Sequence, residues 1–336
     1  MVEIIKKMLS IISADGFNKT QKYYLMNKSF FNEAYALFFE ESDAFRIELL
    51  NPLTNKRKTV QLPSITFAEL NKARSRVRDT IKSEISITIN DSIKTALFTI
   101  NTFAPKTGIK AFRDSITHFF KRINEAKIKS LIIDVRNNGG GINSNVTDLY
   151  SYIATKPFVH IRSAKMIVQA LSFGNYVQNI TSFRKPIGHL TIWGIYDVSE
   201  RYPGCLLRKP ADDYPFSGNI FILTGGGTVS AASEFVALAY SNKRATIIGE
   251  ETGGCYYGAS GGEFLNLELP NSKIKVRIPA ILLHLAVDSS LKIPFGRGVL
   301  PHYEIRADLN NVLNKSDRQL EFAFNLAKHI PSININ

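Results

Sequence analysis

Leu131-Ile132-Ile133-Asp134-Val135 runs directly into Arg136-Asn137-Asn138-Gly139-Gly140-Gly141. A short, almost wholly apolar run is the mark of a strand covered on both faces. A glycine turn at the carboxyl end of such a strand is where α/β proteins place ligands and catalytic groups. The arrangement recurs twice. Asn219-Ile220-Phe221-Ile222-Leu223-Thr224 leads into Gly225-Gly226-Gly227 and a helix expected from about residue 231 to 240. Ala245-Thr246-Ile247-Ile248 leads into Gly249-Glu250-Glu251-Thr252-Gly253-Gly254. Strands alternating with helices predict an α/β core. Three purely structural turns are the bland alternative, weaker for three on one sheet than for any one alone.

Upstream of this stretch, Ile85, Ile87 and Ile89 alternate as a strand, and residues 96–100 form its partner. Phe112, Ile116, Phe119, Phe120 and Ile123 then line one face of a long helix. Downstream, residues 264–269 and 274–278 predict a hairpin, and Ser316 is expected to cap a helix with the stripe Leu320, Ala323, Phe324 and Ala327. Residues 1–63 read as a separate α+β unit. It has a helical start at Ile4, Ile5, Met8 and Leu9, aromatic residues Tyr24, Phe31, Tyr35 and Phe38 at helical spacing, and a strand at Phe45, Ile47 and Leu49 paired with Val60 and Leu62. Residues 64–84 are polar and basic and read as a connector to a core over 85–330.

Composition agrees with two domains in 336 residues. At 44% apolar and 21% charged residues, the chain is neither disordered nor a coiled coil. No run of about 18 uncharged apolar residues exists, so no spanning helix is expected. Cys205 and Cys255 are too few for a disulfide scaffold or a four-cysteine zinc site. The net charge of +13 is spread along the chain. Its densest patch, Lys72, Arg74, Arg76 and Arg78, reads as a solvated face, and no nucleic-acid-binding motif accompanies it. No nucleic-acid partner, metal or other cofactor is expected. A glycine turn with Ser144 in the third glycine position gives dinucleotide binding little support.

Gly227-Thr228-Val229-Ser230-Ala231-Ala232-Ser233-Glu234-Phe235 carries the chemistry. Ser230 stands where strand has ended and helix begins, facing the positive end of the helix dipole. The free N–H of Ala231 opens onto the same space. A serine nucleophile needs an exposed hydroxyl, a base, and N–H donors for the oxyanion. An N-cap role for Ser230 stands equally open from these residues alone.

Taken in order, residues 131–141, Ser230-Ala231-Ala232-Ser233-Glu234-Phe235, residues 249–254, and Gly296-Arg297-Gly298-Val299-Leu300-Pro301 resemble the carboxy-terminal processing (tail-specific) serine peptidase family over about residues 85–330. The resemblance implies a ClpP/crotonase-like core that hydrolyses peptide bonds in a peptide or protein substrate. It makes residues 1–63 a partial PDZ-like unit, Ser230 the nucleophile with Ser233 the alternative, and the N–H groups of Ala231 and Gly140 the oxyanion hole. Each well-aimed donor of that kind contributes about 3 kcal/mol at the transition state. Relatives by resemblance mostly work outside the cytoplasm, which points to the periplasm or cell envelope.

The processing branch carries lysine as base where this chain has Cys255. Residues 249–254 are closer to the tricorn and retinoid-binding branch, whose base is a histidine from an upstream cap. No Gly-His precedes the core, so the chain reads as amino-terminally shortened, with that histidine before Met1. Of the six histidines, His284, four residues before Asp288, is the internal candidate for a base, against the commoner role of a satisfied histidine in a strand. Glu250 and Glu251 receive no role. The alternative to an active peptidase is a weak or inactive peptide- or ligand-binding member of the same fold.

Overall fold

A computed structural model describes residues 2–39, 42–51, 54–78, 83–167, 174–179, 189–190 and 195–329. The chain forms two compact units, residues 1–12 with 25–83 and residues 13–24 with 84–336. Residues 13–24, read from the sequence as part of the 1–63 unit, fall in the second unit.

In chain order the first elements are α1 (Val2–Leu9), α2 (Thr20–Leu25), α3 (Phe31–Phe38), β1 (Ala44–Leu50), β2 (Arg57–Pro63) and α4 (Phe67–Arg78). Strands β1 and β2 pair antiparallel, with Phe45 opposite Leu62 and Ile47 opposite Val60, as the alternation predicts. Met8, Ile12, Met26 and Ala34 form the small core of the first unit. Most of the expected connector is helix α4. Thr66 Oγ1 accepts the Glu69 N–H (3.2 Å) and Glu69 Oε2 accepts the Thr66 N–H (2.8 Å), a reciprocal cap that starts a helix despite its polar sequence.

The second unit continues with β3 (Ile85–Asn90), β4 (Thr95–Ile100), α5 (Gly108–Glu125), β5 (Ser130–Asp134), α6 (Asn143–Ser151), β6 (Ile161–Ile167), β7 (His189–Leu190), β8 (Ile195–Asp197), β9 (Asn219–Thr224), α7 (Ala231–Ser241), β10 (Thr246–Gly249), β11 (Gly258–Glu268), β12 (Lys275–Leu285), β13 (Tyr303–Glu304), α8 (Leu309–Asn314) and α9 (Arg318–His329). Six strands make the main sheet in the order β13-β10-β9-β5-β4-β3, parallel except for β3. Alternate residues of its strands enter two cores. Leu131, Ile133, Ile220, Ile222 and Ile247 join one core, to which α5, α6 and α7 contribute. Ile132, Phe221, Leu223 and Ile248 join the other, beneath Ala323 and Ala327 of α9. Coverage on both faces explains why these strands read as continuous apolar runs.

The helix α9 is capped by Asp317, whose Oδ1 accepts the Leu320 N–H (3.1 Å), and not by the expected Ser316. The predicted hairpin is longer than its apolar residues suggested. Strands β11 and β12 extend a second, five-stranded sheet ordered β11-β12-β6-β8-β7. Because β5, β9 and β10 are adjacent and parallel, their three glycine turns open side by side at one edge of the main sheet.

Candidate active site

The three turns are laced together by two side chains whose part was not legible in the sequence. Thr228 Oγ1 donates to Val135 O (2.9 Å) and accepts the Gly225 N–H (3.1 Å). The Thr228 carbonyl accepts the N–H groups of Gly253 (2.9 Å) and Gly254 (3.2 Å). Asn138 Nδ2 donates to Ile100 O (3.1 Å), and the Asn138 carbonyl accepts the Val229 N–H (3.1 Å). The stretch leading to Ser230 is thereby tied to both neighbouring turns.

Ser230 sits at the N-cap position of α7 with φ 53° and ψ −133°, a conformation a non-glycine residue rarely holds. Such strain costs about 1–3 kcal/mol and persists where the surroundings enforce it, typically at functional sites. Its side chain makes no capping hydrogen bond, so the capping alternative does not describe it. The residue is exposed. Ser233, by contrast, is 2% exposed, and its hydroxyl donates to Ser230 O (2.8 Å).

Gly140, with φ 100°, lies directly against Ser230. A β-carbon there would stand 2.6 Å from Ser230 Cβ and 3.0 Å from its Oγ. The expectation that Gly140 offers a free N–H is not met, because that group donates to Asn138 Oδ1 (2.9 Å). Asn138 folds back on its own turn and takes the donor two residues on, as short amide side chains do. The N–H of Ala231 begins α7 and has no acceptor among the described residues, as expected for the first turn of a helix.

His284 and Asp288 have separate partners. The imidazole Nδ1 lies 3.2 Å from Ser163 Oγ on the neighbouring strand, and Asp288 Oδ1 accepts the Ser290 N–H (2.8 Å). Burial, with Asp15 and Glu251 nearby, pushes the Cys255 thiol up to about 11, so it holds its proton at neutral pH. Glu251 binds Arg297 through Nε (2.8 Å) and Nη2 (2.7 Å) and accepts the Gly298 N–H (2.8 Å), which anchors the 296–298 segment to the third turn. Residues 13–24 reach the same turn: Asn18 Nδ2 donates to Thr252 O and Thr20 Oγ1 to Glu251 O (2.9 Å). His160 is fully buried, with Nε2 3.1 Å from Glu234 Oε2 in the first turn of α7, a pairing the sequence did not signal. Among the described residues no three His, Cys, Asp or Glu side chains are grouped to hold a metal, and no helix is long and apolar enough to cross a membrane.

The model of peptidase family S41 matches residues 94–281, more than half of the chain and all three glycine turns. The chain belongs to peptidase family S41. It is a serine-type peptidase, a hydrolase of the tail-specific family, with a ClpP/crotonase-like core. Among solved structures, mature CPAF complexed with lactacystin is similar at 16% identity over 96% of this chain and 74% of that chain, with a TM-score of 0.56. Mature CPAF alone is similar at 14% over 96% and 73%, with the same TM-score of 0.56. The photosystem II D1 C-terminal processing protease is similar at 15% over 79% and 56%, with a TM-score of 0.37. At these identities the CPAF structures show a shared fold. Among curated proteins none matches the sequence significantly.

Proposed function

We propose that this S41 member cleaves peptide bonds through Ser230. The observation that carries the reading is an exposed, uncapped hydroxyl on a strained strand-to-helix corner, beside the Ala231 N–H, which has no acceptor among the described residues. Ser230 Oγ attacks the scissile carbonyl and passes its proton to a base. The oxyanion that forms is met by the Ala231 N–H and by an N–H of residues 138–141. Gly140 contributes close approach, since its own N–H is taken, and Gly139 and Gly141 hold the turn's donors without an acceptor among the described residues. Collapse expels the amine and leaves an acyl-serine for water to hydrolyse. The substrate is an extended peptide or protein segment laid beside a core strand. On the family resemblance alone, we read residues 1–63 as PDZ-like and the site of action as outside the cytoplasm.

A second reading, a weak or inactive peptide-binding member, is favoured by Cys255. This residue takes the place of the family's lysine and keeps its proton. A serine without its base retains only about 10³–10⁴-fold acceleration over water, from donors and binding. Reaction with a fluorophosphonate, mapped by mass spectrometry, tests both. The adduct is expected on Ser230, absent in Ser230→Ala and retained in Ser233→Ala. An unmodified Ser230 in folded protein would overturn the peptidase reading. An adduct without turnover of a peptide mixture would select the second.

A further inference from the structure

The opposite end of the main sheet holds a cavity of about 560 Å³, at the amino ends of β9 and β10 and beyond the carboxyl end of α7. Its lining includes Lys243, Arg244 and His302 and no carboxylate. Arg244 is 9% exposed. Its guanidinium donates to three backbone carbonyls, those of Ile153, Phe216 and Gly218. Five N–H groups are available on an arginine, so two remain without an acceptor among the described residues, and none of its partners is an anion. Taking a cation out of water without a counter-charge costs several kcal/mol.

Compensation of the α7 dipole does not account for this charge. The last carbonyls of α7 are already occupied, Leu238 O by the Asn242 N–H, Ala239 O by that of Arg244, and Tyr240 O by that of Lys243. Lys243 is exposed and makes no close ion pair among the described residues, although its charge acts at longer range on the Asp288 carboxylate outside the lining. The His302 ring stands against Tyr240 (centroids 5.1 Å apart), and its Nδ1 accepts the Ile247 N–H (2.9 Å). The neutral ring therefore carries its proton on Nε2, as a donor.

We propose that this cavity binds a small molecule through an oxyanion, a carboxylate or a phosphate, held by Arg244, Lys243 and the Nε2–H of His302. Its volume falls in the range of small-molecule pockets, about 300–1,000 Å³, which argues for a metabolite-sized ligand. The site lies one helix length from Ser230, about 16 Å along the 11 residues of α7, and does not depend on that serine being a nucleophile.

Isothermal titration of the full chain at constant ionic strength, with inorganic phosphate in one arm and citrate in the other, tests the proposal. Saturable one-to-one binding is expected in at least one arm, and the tighter arm identifies the source of the oxyanion. Lys243→Glu, an exposed substitution that leaves the core intact, is expected to weaken binding at least about tenfold, the scale of one charge-assisted hydrogen bond. His302→Gln is expected to weaken it less. Ser230→Ala should bind as the parent does, which separates this site from the peptidase reading. Absence of saturable binding in both arms, or equal affinity in folded Lys243→Glu, would overturn it.

Discussion

The α-carbon of Gly140 faces the Ser230 side chain so closely that a methyl group at position 140 would lie 2.6 Å from Ser230 Cβ. The backbone there also holds φ 100°, which an L side chain resists. Gly140→Ala must therefore move one turn against the other. A displacement of about 1 Å at a reacting atom costs on the order of 100-fold in rate. The expected outcome is a loss of that size in fluorophosphonate labelling of Ser230, with the circular dichroism spectrum of the parent. Undiminished labelling would mean that the two turns are not in register as described.

Arg136 joins the end of β5 to the start of α9. It donates to Asp134 through Nε (2.9 Å) and Nη2 (2.7 Å), and to Asp317 through Nη1 and Nη2, both at 2.7 Å. Burial alone would pull its pKa down, but the hydrogen bonds and charges of the two carboxylates outweigh that and raise it. Removing one partner of a buried ion pair costs about 3–5 kcal/mol because the other charge stays behind. Arg136→Ala is expected to lose about that much in urea unfolding, with Asp134 left 8% exposed and unpaired. Asp317→Asn, which can still cap α9, should lose clearly less. Equal losses would show that the Asp317 half of the pair, not the more buried Asp134 half, carries the stability.

How much of this could be read from the chain depends on range. The main-sheet strands and the Ser230 corner were legible because burial on both faces and glycine turns write themselves into neighbouring residues. Side-by-side placement of the three turns is not local, since β9 lies between β5 and β10 in space while about 80 residues separate it from β5 in sequence. Residues 13–24 read from the sequence as part of the 1–63 unit. They belong to the second because Asn18 and Thr20 bond carbonyls more than 230 positions away, and no periodicity encodes such contacts. The Gly140 N–H was read as free because its acceptor, the Asn138 side chain, is defined only once the turn has folded. Nothing in the sequence marked His160, since its partner Glu234 comes from a helix far along the chain.

Glu251 holds the 296–298 segment by two bonds to Arg297 and one to the buried Gly298 N–H. Glu251→Ala leaves that N–H without an acceptor, a cost of about 1–3 kcal/mol, and also forfeits the charged pair. A loss of about 2–4 kcal/mol in chemical denaturation is expected. Gly254, in the same turn, packs against the Ser230 N and the Ser233 side chain. Labelling of Ser230 should therefore slow as well, by on the order of tenfold. A stability loss without slower labelling would confine Glu251 to a purely structural part.

Cys255 supplies a test that needs no substitution. A thiol pushed by burial and by Asp15 and Glu251 from an ordinary 9.0 to about 11 keeps its proton over two further pH units. Only the thiolate alkylates, so at pH 8 iodoacetamide should modify Cys255 about 100-fold more slowly in the folded chain than in urea. The sign is fixed: the neutral form is the favoured one. The folded rate must climb about tenfold per pH unit from 8 towards 10, and level off only near 11. Peptide mapping separates this residue from Cys205, whose thiol is also raised, first by burial. A group that retains its proton so far above neutrality cannot take one from Ser230. Cys255→Ser is accordingly expected to leave fluorophosphonate labelling of Ser230 unchanged at pH 7. Rapid alkylation of Cys255 at pH 8 in the folded chain, together with slower Ser230 labelling in Cys255→Ser, would show instead a thiolate acting as the base.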